Sequence, residues 1–113
     1  MKIFRQKRQY QRIEKFVRVN YQLTNESQIR IDCCSRDISE RGIRFGLYQY
    51  LKVGTSLKLY IYLEDKPEFF CVMGKVVWIK EVEGDYPYEV GVNFDFVTPS
   101  FRDKIIEIIK KIS

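Results

Sequence analysis

The chain reads as an all-β domain: six antiparallel strands closed into a small barrel, followed by one C-terminal α-helix. Three observations predict this. Apolar residues recur at every second position through most of the chain, which is the period of a strand with one face on a core. Aromatic residues make up 15% of the chain, alongside many Val and Ile, and such side chains suit a pleated, half-buried surface. Only the last segment changes to a helical period. A length of 113 residues with 45% hydrophobic and 31% charged side chains is one domain of a chain that folds.

The elements follow in order. Val17, Val19, Tyr21 and Leu23 alternate with Arg18, Asn20 and Gln22, and Asn25-Glu26-Ser27 supplies a turn. Ile29 and Ile31 alternate with Arg30 and Asp32 in a run that reaches Ile38. Beyond Gly42, Ile43, Phe45 and Leu47 repeat the pattern, and Val53-Gly54-Thr55 is the next turn. Leu57, Leu59, Ile61 and Leu63 alternate with Lys58, Tyr60 and Tyr62, ending at Asp65-Lys66-Pro67. Residues 69–82 are apolar on both sides for much of their length, and Gly84-Asp85 with Pro87 leads into a last strand over 88–97. That strand carries Val90, Val92, Phe94 and Phe96 on one face. Connections this short predict an antiparallel meander. Long alternating strands leave reactive edges, which closure into a barrel removes.

Phe101, Ile105, Ile108, Ile109 and Ile112 form one helical stripe, so the helix should lie on the sheet. Thr98 is placed as N-cap, Pro99 at the first helical position and Asp103 in the first turn.

Charge is unevenly placed. Seven of the 20 basic side chains (Lys2, Arg5, Lys7, Arg8, Arg12, Lys15, Arg18) and one of the 15 acidic ones (Glu14) fall in residues 1–20, which is +6 there. The rest holds thirteen basic against fourteen acidic residues, so the whole excess positive charge is N-terminal. Such a cluster suits an anionic partner; a solvated terminus is the plainer alternative. The expected organisation is a flexible basic arm over residues 1–15 and a barrel with its helix over 16–113.

Several chemistries are excluded. With no His in the chain, His-based acid–base catalysis, a serine triad and a His-ligated metal are absent, and no carboxylate pair is singled out by spacing. No enzyme activity, cofactor or metal is expected. Three cysteines, with Cys33 and Cys34 adjacent, give neither a disulfide framework nor a zinc site and read as reduced, mostly packed thiols. The start lacks the apolar segment of a signal peptide and no apolar run reaches membrane-spanning length. The expected location is cytoplasmic, without membrane insertion.

Two constellations remain. Arg8-Gln9-Tyr10-Gln11-Arg12 is an RxxxR spacing just ahead of the first strand; two guanidinium forks so spaced can converge on one compact anion and stack on a base. Asp37-Ile38-Ser39-Glu40-Arg41-Gly42 is a DxSxxG pattern at a strand end. Asp and Ser there can cap a turn, with Gly42 at positive φ. Alternatively, the carboxylate accepts from a guanine edge while the hydroxyl and bare glycine backbone approach base or phosphate.

With both motifs in this order, followed by Val76-Val77-Trp78, a Gly91-Val92-Asn93-Phe94 strand and a terminal helix, nearly the whole chain resembles the PilZ domain family. The resemblance implies a six-stranded antiparallel PilZ-like barrel with a helix, and a receptor for the bacterial second messenger cyclic di-GMP. Carried over by position, Arg8 and Arg12 would grip phosphates and guanine, while Asp37, Ser39 and Gly42 would surround a guanine from the barrel side. Lys7 and Trp78 are secondary candidates for the ligand. Lys7 lies where a basic side chain in the family accompanies an intercalated ligand dimer, and Trp78 lies where some members use an aromatic, although a lone Trp in an apolar strand usually belongs to the core.

The expected function is a cyclic di-GMP receptor and adaptor whose arm changes conformation on binding and signals to a separate, unidentified effector protein. Two alternatives stand beside it. One is a small basic barrel that binds single-stranded nucleic acid, with Tyr48, Tyr50, Tyr60 or Tyr62 stacking on bases; the confinement of basic excess to the arm weighs against it. The other is a protein-interaction adaptor that binds no ligand.

Overall fold

The computed structural model describes residues 17–24, 30–64 and 66–112. Six strands, β1 (Arg18–Leu23), β2 (Ile31–Ile38), β3 (Gly42–Leu47), β4 (Ser56–Tyr62), β5 (Phe70–Glu81) and β6 (Tyr88–Phe94), precede one helix, α1 (Pro99–Ile112). The strands close into a barrel in the order β1-β2-β3-β6-β5-β4, and every neighbouring pair is antiparallel, including β1 with β4.

The connectivity departs from a simple meander at one point. β3 and β4 are consecutive in the chain but not adjacent in the sheet. Each half, β1–β3 and β4–β6, is a meander of its own, and residues 48–55 carry the chain from one to the other. Pairing β3 with β6 and β1 with β4 satisfies the free edges of both halves at once, which an isolated three-stranded sheet cannot do.

The alternation read from the sequence fills the barrel. Val19, Tyr21, Ile43, Phe45, Leu47, Leu57, Leu59, Ile61, Val72, Val76, Val90 and Val92 are buried in one core. The last strand ends at Phe94, and Phe96, expected on its buried face, is 72% exposed. Of the cysteines, Cys33 is packed but Cys71 is exposed on β5, because β5 turns that parity of residues outward. The Cys34 side chain and the turn at 25–27 lie outside the described residues. Gly54 and Gly84 have φ of 95° and 138°, backbone that the turns require and that favours glycine.

The helix covers one end of the barrel. The Phe101 ring packs edge-on against Phe70 at the start of β5 (5.2 Å) and Phe94 at the end of β6 (5.4 Å), and Ile105 and Ile108 are buried beneath it. Lys104 reaches Glu64, just past β4, at 3.4 Å. The side chains of Ile109 and Ile112 lie outside the described residues. Thr98 is the N-cap: its Oγ1 accepts from the Phe101 N–H at 3.2 Å. The first turn holds no acid, so Asp103 does not take the expected place; with Pro99 as first residue it falls one position past that turn. Thr98→Ala is expected to cost about 1 kcal/mol and lower the melting temperature by about 4 °C, measurable by thermal denaturation.

One core tyrosine gives a pH dependence. Tyr21 donates its hydroxyl hydrogen to Gln49 Oε1 at 2.7 Å, and burial, reinforced by Cys33, pushes its phenol from 10.0 up to about 12. Below pH 10 the phenol is protonated whether the chain is folded or not. Between pH 10 and 12 the unfolded chain gives up this proton and the folded chain keeps it, so stability falls as pH rises through that window. Tyr21→Phe is expected to flatten this decline, compared by urea unfolding across the same window.

Candidate functional site

The DxSxxG residues meet at the β2–β3 corner, and a change of strand parity places them there. Ser35 pairs with inward-facing Phe45, yet Asp37 pairs with Arg44 and Ile38 with Ile43, because the register shifts between Ser35 and Asp37. An irregularity of this kind re-aims a side chain. Without it Asp37 would share the inward parity of Cys33 and Ser35. With it, Asp37 stands opposite Arg44, and its Oδ2 lies 2.6 Å from Arg44 Nη2.

Arg44 in turn lies 4.0 Å from Glu89 on β6, and Glu89 lies 3.7 Å from Lys80 on β5. The four side chains alternate in sign across the outer face of β2, β3, β6 and β5. One donor is left over within this ladder: Arg44 Nε is buried and has no hydrogen-bond partner. Such a donor beside a carboxylate has hydrogen-bonding capacity left for an acceptor only once the corner opens around it.

Ser39 is fully buried, and its hydroxyl accepts from the Arg41 N–H at 3.2 Å. The Ser39 N–H donates to the Gly42 carbonyl at 2.9 Å, and the Arg41 carbonyl accepts from the Phe94 N–H at 2.9 Å. Ser39 therefore has the capping role foreseen for a turn. Gly42 does not: it is a strand residue, and the positive-φ glycines are Gly54 and Gly84. Its need for glycine is space instead, since a Cβ would collide with the Val92 carbonyl oxygen of β6.

Trp78 is not a core residue. The register of β5 against β6 shifts between Val76 and Trp78, which turns Val77 and Trp78 outward, 41% and 37% exposed. The indole lies across Gly91, where any Cβ would strike its ring. Pairing of Trp78 with Gly91, Gly91 with Arg44 and Arg44 with Asp37 puts all four in one row. An exposed aromatic thus ends the row that Asp37 begins.

Lys7, Arg8 and Arg12 lie outside the described residues. The described chain does fix where the preceding segment joins the barrel. Val17 N–H donates to Ser35 Oγ at 3.0 Å, and the Ser35 N–H donates to the Val17 carbonyl at 2.9 Å. Residue 17 is thereby held two positions from Asp37 along β2. Arg12 is five residues upstream, and an extended chain spans about 3.3–3.6 Å per residue, so the arm is long enough to bring a guanidinium to the Asp37 corner. Among the described residues there is no cluster of His, Cys, Asp or Glu side chains placed to hold a metal ion, and no helix long and apolar enough to cross a membrane.

A closed barrel of this order, with one end covered by a helix and an Asp–Ser–Gly corner on the same rim, defines a class of small β-barrel domain. The chain belongs to the PilZ domain family, whose description matches residues 6–111. Solved structures agree in fold. The Bacillus subtilis inhibitor of motility MotI/DgrA is similar with a TM-score of 0.76 and 20% identity, over 95% of this chain and 52% of that one. The PilZ domain of YcgR from Escherichia coli, solved with c-di-GMP, gives 0.69 and 17%, over 94% and 91%. YcgR itself, also in complex with c-di-GMP, gives 0.73 and 18%, over 94% and 46%. The chain thus spans about half the length of MotI/DgrA and of YcgR. No curated protein matches the chain.

Arg44, Glu89 and Lys80 escaped the sequence reading. Arg44 carried a signal, as the outward residue between Ile43 and Phe45 two positions beyond Gly42. Glu89 and Lys80 carried none, because their place in the ladder depends on barrel register.

Proposed function

We propose that the chain is a cyclic di-GMP receptor and adaptor that acts without catalysis. Membership of the PilZ family supports this, as do the c-di-GMP complexes of two similar structures. The observation that most supports it is the junction of Val17 with Ser35, two positions from Asp37 along β2, a start point from which the RxxxR segment upstream has the length to reach the DxSxxG corner. In this reading Arg8 and Arg12 take the phosphates and stack on a base. The Asp37 carboxylate, oriented by Arg44, accepts from the ring and amino N–H groups of a guanine, and Ser39 with the Cβ-free backbone of Gly42 lines the same base. Trp78 and Lys7 border the ligand.

Asp37 and Ser39 are 4% and 0% exposed, so the corner opens to admit a ligand, and binding is coupled to a conformational step. That step, passed through the arm to a separate effector protein, is the adaptor's output. Cytoplasmic action follows from the ligand, an intracellular messenger.

Calorimetric titration of the whole chain tests the assignment, with emission of Trp78, the single tryptophan, as a second readout. Cyclic di-GMP is expected to bind and to change the emission, whereas GTP, cyclic AMP and a short oligonucleotide are not, because only a doubly guanylated dianion engages both motifs. Absence of heat with cyclic di-GMP in large excess overturns the assignment.

A further inference from the structure

The outer face of β1, β4 and the first half of β5 lies on the side of the barrel away from the β3 row, and its chemistry differs from the rest of the surface. Arg18 Cζ sits 4.2 Å from the centre of the Tyr62 ring, and Arg30 Cζ sits 3.9 Å from the centre of Tyr60 and 5.6 Å from that of Phe69. Lys58 Nζ lies 5.8 Å from the Tyr60 ring. Phe69 packs against both tyrosines at 5.4 and 5.5 Å. The other partners of Arg30 are neutral oxygens, Asn20 Oδ1 and the Tyr62 hydroxyl, each at 3.4 Å.

Elsewhere several lysines and arginines meet carboxylates: Arg44 with Asp37, Lys75 with Asp95, Lys80 with Glu89, and Lys104 with Glu64 and Glu107. Among the described residues, none of Arg18, Arg30 and Lys58 does. The acidic register position on the neighbouring strand is Asp32, across β1 from Tyr60, which leaves the face net positive. A guanidinium laid flat on a ring keeps its N–H edges outward for a carboxylate and has already lost much of its rotamer freedom.

We propose that this face docks an acidic, partly apolar segment of a partner protein, whose carboxylates pair with Arg18, Arg30 and Lys58. Phe69 and Met73, 44% and 39% exposed, border the cations and take apolar side chains of the same segment. The chemistry selects this occupant over others. Tyr60 and Tyr62 are 8% and 9% exposed, their faces covered by the guanidiniums and Phe69, so neither tyrosine is open to a base, and Phe69 alone does not make the row of stacking rings that successive bases of a single strand use. A second copy of the chain would set cations against cations across a two-fold axis. The barrel is closed, so no strand edge is offered and side chains must carry the contact. Guanidiniums fixed in position suit carboxylates fixed on a folded segment better than mobile lipid headgroups. The surface holds with or without nucleotide and does not rest on the ligand assignment.

The test uses the full chain without nucleotide and a synthetic amphipathic helical peptide with Glu at i and i+4 beside Leu and Phe, followed by amide NMR. Shifts are expected on β1, β4 and residues 69–73. Arg18→Ala and Arg30→Ala should each weaken binding about tenfold, added salt should weaken it further, and Arg8→Ala should leave it unchanged. Lys58→Glu, at the margin of the cluster, should weaken it as well and keeps the test decisive if an arginine variant loses its fold. The proposal is overturned if the shifts fall elsewhere or the variants bind as tightly. It is equally overturned if a dT oligonucleotide or phosphatidylglycerol vesicles engage this face more tightly than the peptide.

Discussion

Asp37→Ala is expected to weaken cyclic di-GMP binding by at least about 100-fold while the protein stays folded. The carboxylate is assigned two hydrogen bonds from one guanine. Bonds to a charged group contribute about 1.5–3 kcal/mol each, and each 1.4 kcal/mol is about tenfold in affinity. The cost to the fold is smaller. Asp37 is ion-paired with Arg44, whose side chain is 37% exposed, so water resolvates part of the abandoned guanidinium and the loss stays below the roughly 3–5 kcal/mol of breaking a fully buried pair. Calorimetric titration and a thermal melt on the same sample separate the two. Unchanged affinity with a large drop in melting temperature would make Asp37 a structural residue of the corner and nothing more.

Arg8→Ala and Arg12→Ala are each expected to remove most of the affinity, and the double variant to lose little beyond either single one. Fixing a residue costs about 1–2 kcal/mol, and the arm from Arg8 to the barrel spans several residues with few apolar side chains to offset that cost. Charge-assisted contacts of about 1.5–3 kcal/mol each can balance it only when both arginines take part. Loss of either therefore prevents the arm from docking, and residues that act as one unit give strongly non-additive cycles. Additive losses in titrations of the three variants would mean that each guanidinium binds independently of arm ordering.

Much of this arrangement was legible in the sequence because burial imposes a period of two. Val19, Tyr21, Leu57, Leu59 and Ile61 occupy the core positions that the alternation assigns them. Even the two register shifts left a trace: in β2 the inward residues pass from Cys33 and Ser35 to Ile38, and in β5 from Val72 and Val76 to Ile79. A switch between odd and even numbering is the imprint of one extra residue, and at both places it governs a candidate site residue, Asp37 or Trp78. Trp78 was nonetheless read towards the core, because a run of Val and Trp has no polar member to mark which side faces water. The β3–β4 crossing was not legible, since residues 48–55 are equally able to make a hairpin. Nor was the charge ladder: Asp37, Arg44, Lys80 and Glu89 are brought together by strand order, which local patterning does not encode. Tyr60 and Tyr62, taken as open to bases, lie beneath arginines that only the β1–β4 pairing and the start of β2 bring over them.

The central claim is that one ligand joins the arm to the β2–β3 corner, and amide hydrogen exchange of the whole chain with and without cyclic di-GMP tests it most directly. Protection is expected to rise on ligand binding both in residues 1–15 and in residues 37–42, and to rise in neither segment with Arg12→Ala. Equal exchange of residues 1–15 in the two states would contradict the claim, even for a protein that binds the nucleotide.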